Sequence, residues 1–129
     1  MTVNDLVGIP YIKSGDKLTG ADCWGIVLLA HEHLYDRVIP VLRNFYAGAD
    51  KRATAAKVEI VSGNWAREDK AKNGDVVVMY DINNQPTHFG VFVDNHVLHS
   101  TKAHGASRID RISVIIKQFK KLEFYRWQS

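Results

Sequence analysis

Two apolar runs separated by a two-residue turn signal constrain this chain more than any other feature. His88-Phe89-Gly90-Val91-Phe92-Val93 and Val97-Leu98-His99-Ser100 flank Asp94-Asn95, and Asn and Asp tolerate the left-handed backbone that a tight hairpin requires. Strands joined so closely must lie antiparallel and side by side in one sheet. Upstream, a polar turn ends in Asn73-Gly74, and Asp75 opens Val76-Val77-Val78-Met79-Tyr80. That unbroken apolar run reads as a buried strand. Residues 81–86 form an Asn-containing turn, and 101–107 a polar stretch. Residues 113–116 suit either a strand or a helix, and Leu122-Glu123-Phe124-Tyr125-Arg126-Trp127 alternates as a closing strand.

The first half of the chain has a different period. Gly20-Ala21-Asp22-Cys23-Trp24-Gly25-Ile26-Val27 reads as a loop turning into a helix, with Asp22 at the N-cap. The apolar residues that follow carry the helix to about Leu34. Before it, residues 1–7 suit a short helix or an extended arm. Gly8-Ile9-Pro10-Tyr11 makes a turn, because proline pushes Ile9 out of the helical region. Residues 12–19 read as a polar loop and 41–50 as irregular. A second helix is expected over 51–62, with Ala53, Ala56 and Ile60 on one face, stopped by Gly63-Asn64. Helices first and hairpin-linked strands afterwards imply an α+β fold with an antiparallel sheet of about five strands. A length of 129 residues suits a single domain spanning 1–129.

Composition narrows the function. With 46% hydrophobic and 24% charged residues the chain is an ordinary globular one. One cysteine excludes a disulfide framework and any thiolate-rich zinc site. A net charge of +3 suits an anionic partner only mildly. The basic residues are spread along the chain, apart from Lys117, Lys120 and Lys121, with no nucleic-acid-binding motif; nucleic acid is not an expected partner. No apolar run could span a bilayer, and Met1-Thr2-Val3-Asn4-Asp5-Leu6 lacks the basic start and apolar core of a signal peptide. Synthesis in the cytoplasm is therefore expected, with delivery to any outside target by other means.

The lone cysteine stands where chemistry is easiest. In a first helical turn, unpaired N–H groups and the helix dipole favour a thiolate. A buried structural cysteine is the alternative, since a free thiol packs as a small hydrophobe. Gly25 is a poor helix former and is better explained if a chain segment or a substrate must approach the thiol closely. A cysteine nucleophile needs a base within reach and something to hold the base. Of six histidines, His31 and His33 lie more than a turn along the helix, and His96 sits at the hairpin tip. His88 and His99 differ in lying each on an otherwise apolar strand, and the turn makes those strands neighbours; for either alone, a satisfied half-buried sheet histidine is the alternative. With Asp94-Asn95 at its centre, His88 falls opposite Ser100 or Thr101, so a one-residue bulge is expected if the two imidazoles are to face each other.

In this order, Asp22-Cys23-Trp24-Gly25, Gly74-Asp75-Val76-Val77, the His88–Val93 run and Val97-Leu98-His99-Ser100 resemble the signatures of the NlpC family of papain-like cell-wall cysteine peptidases. Gly8-Ile9-Pro10-Tyr11 resembles the element that precedes the family's catalytic helix. The resemblance implies a papain-like fold, an N-terminal catalytic helix packed on the sheet. It implies Cys23 as nucleophile, His88 as base and His99 as the group orienting it. Tyr11 would lie beside the thiol and serve the oxyanion together with the Cys23 N–H, while Asp22 would cap the helix, contact a substrate amine, or both. The implied reaction cleaves the peptide stems of peptidoglycan between D-γ-glutamate and a diamino acid, with no metal or organic cofactor. Tryptophan after the cysteine, a stand-alone domain and Arg108-Ile109-Asp110-Arg111 onward resemble the members borne on bacteriophage tails. That implies a virion-associated protein acting at the cell wall, with other tail proteins as partners. An assembly protein of weak or no activity, and an acyltransferase or amidase on the same scaffold, are the alternatives. Lys13-Ser14-Gly15-Asp16 departs from the Trp-Gly-Gly usual there, so the groove near Tyr11 is expected to differ.

Overall fold

The computed structural model describes residues 1–39 and 64–128. The helix expected over 51–62 and the irregular stretch over 41–50 lie outside them. A short 3-10 turn, Val3–Leu6, precedes two tiny paired strands, β1 (Asp16–Lys17) and β2 (Gly20–Ala21), and then helix α1 (Cys23–Tyr35). After them come β3 (Trp65–Glu68), β4 (Val76–Tyr80), β5 (Pro86–Val93), β6 (His96–Ser100), β7 (Ser107–Arg111), helix α2 (Ile112–Gln118) and β8 (Lys121–Trp127). The fold is α+β, as the order of periods implies. Two corrections apply: among the described residues the main sheet has six strands, not about five, and α1 is not the first element.

All six strands of the main sheet run antiparallel in the order β3-β8-β4-β5-β6-β7. The hairpin between β5 and β6 turns at Asp94 and Asn95, whose φ values of 49° and 62° are those a primed two-residue turn demands. β7 and β3 escaped the sequence reading because Ser107–Arg111 holds one apolar residue and Trp65–Glu68 two. Residues 12–19, expected as plain loop, contain β1 and lead into β2. The ambiguous run at 113–116 lies within helix α2.

The sheet is covered on both faces, which explains why all five residues of β4 are buried. Val76, Val78 and Tyr80 join Phe89, Val91, Leu98 and the apolar residues of α1 in one core. Val77 and Met79 join Phe92, Val97 and Ile115 of α2 in a second. Eight consecutive residues of α1, Trp24 through His31, are buried, as suits a helix enclosed nearly all round. Asp75, 1% exposed, takes both oxygens' bonds from Arg126 of β8, Nε at 2.9 Å and Nη2 at 2.8 Å. That fork fastens the start of β4 to the last strand. The N-terminal arm is clasped by Ser107: its Oγ donates to the Leu6 carbonyl at 2.6 Å and accepts from the Ile9 N–H at 2.9 Å. Among the described residues no helix is long and apolar enough to cross a membrane.

Candidate active site

The site begins at the loop before α1. Asp22 is 4% exposed and splits its carboxylate between two backbone donors, the Gly25 N–H at 2.8 Å and the Ser14 N–H at 3.1 Å. One oxygen caps the helix and the other fixes the approaching loop. The Asp22 N–H in turn donates to the Gly15 carbonyl at 3.1 Å. That carbonyl occupies the space beside Gly25, where an added Cβ would fall 1.9 Å from it. Gly25 is therefore required by a crossing chain segment, one of the two causes its placement suggested. Cys23, half-buried, is the first residue of the helix held this way.

Tyr11 belongs to the same junction. The Ala21 N–H bonds to the Pro10 carbonyl at 3.0 Å, and the Tyr11 N–H bonds to the Gly105 carbonyl at 2.9 Å. The Tyr11 segment thus lies between the approach to Cys23 and the loop after β6.

His88 and His99 meet directly, His88 Nε2 to His99 Nδ1 at 2.8 Å. No bulge separates β5 from β6. His99 pairs with Gly90, so His88, two residues before Gly90, shares its face and lies diagonally across from His99. Gly90 makes the diagonal short. A Cβ there would come within 2.5 Å of Val97 Cγ1 and 3.2 Å of His99 Cβ. The irregularity that does exist lies on the other side of β5, where the register with β4 shifts beyond Met79.

The line continues past the expected residues. His99 Nε2 meets Asp110 Oδ2 of β7 at 2.7 Å, and Arg108 Nη2 donates to Asp110 Oδ1 at 2.9 Å. Asp110 escaped the sequence reading because its strand did; the signal was its place two residues along from Arg108 in an alternating segment. On its other flank His88 stacks on Phe119, with ring centroids 6.1 Å apart and planes 16° from parallel. The sheet joins the two histidines directly and brings Cys23 to the same end through its neighbours. Trp24 meets Phe89 edge-on at 5.6 Å, and Ser100 Oγ donates to the Ala21 carbonyl at 3.4 Å.

Burial sets the electrostatics. His88 is pushed down to about 3, chiefly by burial and then by the nearby His99 and His104. His99 is lowered too: burial outweighs the opposing bond and charge of Asp110. For Asp110, burial opposes ionisation, but the His99 bond and the Arg108 guanidinium outweigh it and hold the carboxyl below its ordinary value. In the middle of α1, His31 is also pushed down to about 3, first by burial and then by Arg37. Neither of its ring nitrogens has a hydrogen-bond partner among the described residues. Among the described residues, no group of three or more His, Cys, Asp or Glu side chains is arranged to hold a metal ion.

These shifts predict acid sensitivity. Unfolded histidines take up protons below about pH 6.5, whereas folded His31 and His88 stay neutral down to about 3. Proton uptake by the unfolded chain then favours unfolding as pH falls, by up to about 1.4 kcal/mol per pH unit for each histidine. Thermal midpoints measured from pH 7 to pH 4 are expected to fall steadily across that window. A flat profile would refute the neutral burial of both rings.

A half-buried cysteine opens α1, the helix that packs on β5 and β6, and those two strands carry a bonded pair of histidines. The chain belongs to the NlpC/P60 family, whose sequence profile matches residues 8–121. No curated protein sequence matches it. Among solved structures, the NlpC/p60 domain of the peptidoglycan hydrolase SagA is similar at a TM-score of 0.57 and 15% identity, over 95% of this chain and 92% of that one. The P60 domain of an antigen from M. avium subspecies paratuberculosis aligns at 0.62 and 16%, over 97% and 88%. An N-acetylmuramoyl-L-alanine amidase from Bacteroides uniformis aligns at 0.60 and 10%, over 98% and 95%.

Proposed function

We propose that this protein is a cysteine endopeptidase that hydrolyses the peptide stems of bacterial peptidoglycan at the bond between D-γ-glutamate and a diamino acid, and that it works as a component of a bacteriophage tail. The observation that carries the chemistry is the 2.8 Å bond between His88 Nε2 and His99 Nδ1. It commits one nitrogen of His88 to orientation and leaves Nδ1 for the thiol. Family membership and the likeness to a peptidoglycan hydrolase support the substrate.

The reaction runs in two halves. His88 is neutral at rest, since burial disfavours its charged form, so it acts as a general base rather than as half of a standing ion pair. Nδ1 takes the Sγ proton as Cys23 attacks the stem carbonyl. The Cys23 N–H and the Tyr11 hydroxyl receive the oxyanion. Collapse breaks the C–N bond, and the His88 proton goes to the departing amine. Water, deprotonated by His88, then cleaves the thioester and restores the thiol. Asp22, bonded to the Ser14 and Gly25 N–H groups, serves this cycle by holding the helix start.

Purified peptidoglycan of several wall types, treated with the protein before and after alkylation of its thiol, tests the proposal by mass spectrometry of the released fragments. Fragments ending in D-γ-glutamate, and their partners opening on a diamino acid, are expected from the unalkylated protein alone. Fragments opening on L-alanine would mark an amidase instead. No fragments from a folded protein whose thiol alkylates would favour an assembly role. Antibody labelling of intact particles tests the tail assignment, with signal expected on the tail.

A further inference from the structure

Two neutral imidazoles joined by one N···N bond are ambiguous: either ring can be the donor, and only one choice leaves a usable base. If His99 Nδ1 carried the hydrogen, it would donate to His88 Nε2. His88 would then hold its own hydrogen on Nδ1, toward the thiol, and could accept nothing from it. The bond of 2.8 Å fits both arrangements equally well. Something at the end of the line must break the tie.

We infer that Asp110 is a positioning residue that sets the tautomer of both histidines: its carboxylate keeps the hydrogen of His99 on Nε2, so His99 Nδ1 accepts from His88 Nε2–H and His88 Nδ1 is bare. The inference rests on the proposed roles of Cys23 and His88. An ionised carboxylate only accepts, so the ring nitrogen 2.7 Å from Asp110 Oδ2 must be an N–H. Arg108 at 2.9 Å on Oδ1 keeps the carboxylate ionised and turned toward the ring. A neutral His99 has one hydrogen, so fixing it on Nε2 strips Nδ1. The polarity then passes along the bond to His88. Gly90 and the β6–β7 register hold the three groups in line: Leu98 pairs with Ile109 and Val97 with Asp110, placing Asp110 diagonally from His99 on the shared face.

Long-range 1H–15N correlation on uniformly labelled protein near pH 7.5 reads the tautomers directly. In wild type both histidines are expected as Nε2–H tautomers with bare Nδ1. Asp110→Asn offers an amide N–H to His99 Nε2 and so permits the reverse polarity. It is expected to move both rings toward Nδ1–H and to lower kcat about 10- to 100-fold, the scale on which outer partners of working histidines act. KM should stay within about twofold, since Asp110 does not touch substrate, and Asp110→Glu should recover part of kcat. An Nδ1–H signal from either ring in wild type would overturn the inference. So would an Asn variant with unchanged tautomers and unchanged kcat. Should Asp110→Asn fail to fold, the wild-type spectrum and the Glu variant decide alone. If wild type cleaves no peptidoglycan, the proposed function falls, while the spectrum still settles which nitrogen of each ring is bare.

Discussion

Cys23→Ala is expected to release no fragments from peptidoglycan while keeping the thermal midpoint of the wild type within a few degrees. The side chain is small and half-buried at the start of α1, and alanine keeps its Cβ and the helix that follows. Without the sulfur there is no acyl intermediate, and the bond must be broken by water alone. His88→Ala should leave the nucleophile in place and remove its base, slowing fragment release by about 10²- to 10⁴-fold, the usual contribution of a positioned general base. The two losses should not add: a double variant should be no slower than Cys23→Ala, because both residues serve one step. Equal rates for His88→Ala and wild type would show that the thiol works without this histidine. A Cys23→Ala variant that folds and still cleaves would end the cysteine mechanism.

Gly25→Ala is expected to destabilise the protein by about 3 kcal/mol or more, with a thermal midpoint lower by roughly 10 °C. Helix propensity alone gives the opposite sign, a gain of about 1 kcal/mol. The new Cβ would lie 1.9 Å from the Gly15 carbonyl oxygen, and neither partner can yield easily. The carbonyl is held by the Asp22 N–H, and the Gly25 N–H is held by the Asp22 carboxylate. Relief requires breaking the cap, which loosens Cys23 as well. The rate of thiol alkylation should therefore change along with stability, and a thermal midpoint equal to that of the wild type would disprove the crossing of Gly15 over the helix.

Much of the fold was legible where the chain carries strong local signals. Asp22 and the apolar run after it marked α1, and Asp94-Asn95 between two apolar runs marked the β5–β6 hairpin. The edge strands β3 and β7 carried no such signal, because an edge has one neighbour and tolerates Arg, Glu and Asp. Their absence from the sequence reading had a direct cost at the site. Asp110 stands on β7, so the end of the histidine line was invisible while both histidines were in plain view. Register was the other gap. A directly opposite pair of rings would need a bulge, whereas the rings meet diagonally over Gly90, which only the paired backbone reveals. Gly25 was read correctly as a place of close approach, since no helical preference explains a glycine there.

The diagonal line from Asp110 through His99 to His88 crosses three adjacent strands. Sliding any one of them by a single residue would turn its member to the opposite side of the sheet. Under the proposed mechanism, a chain in which helix and hairpin have formed but β7 has not would hold the thiol and both histidines without the carboxylate that fixes their tautomers. The rate of hydrolysis would then rise a second time as β7 pairs with β6, which makes it a reporter for that one pairing of the sheet.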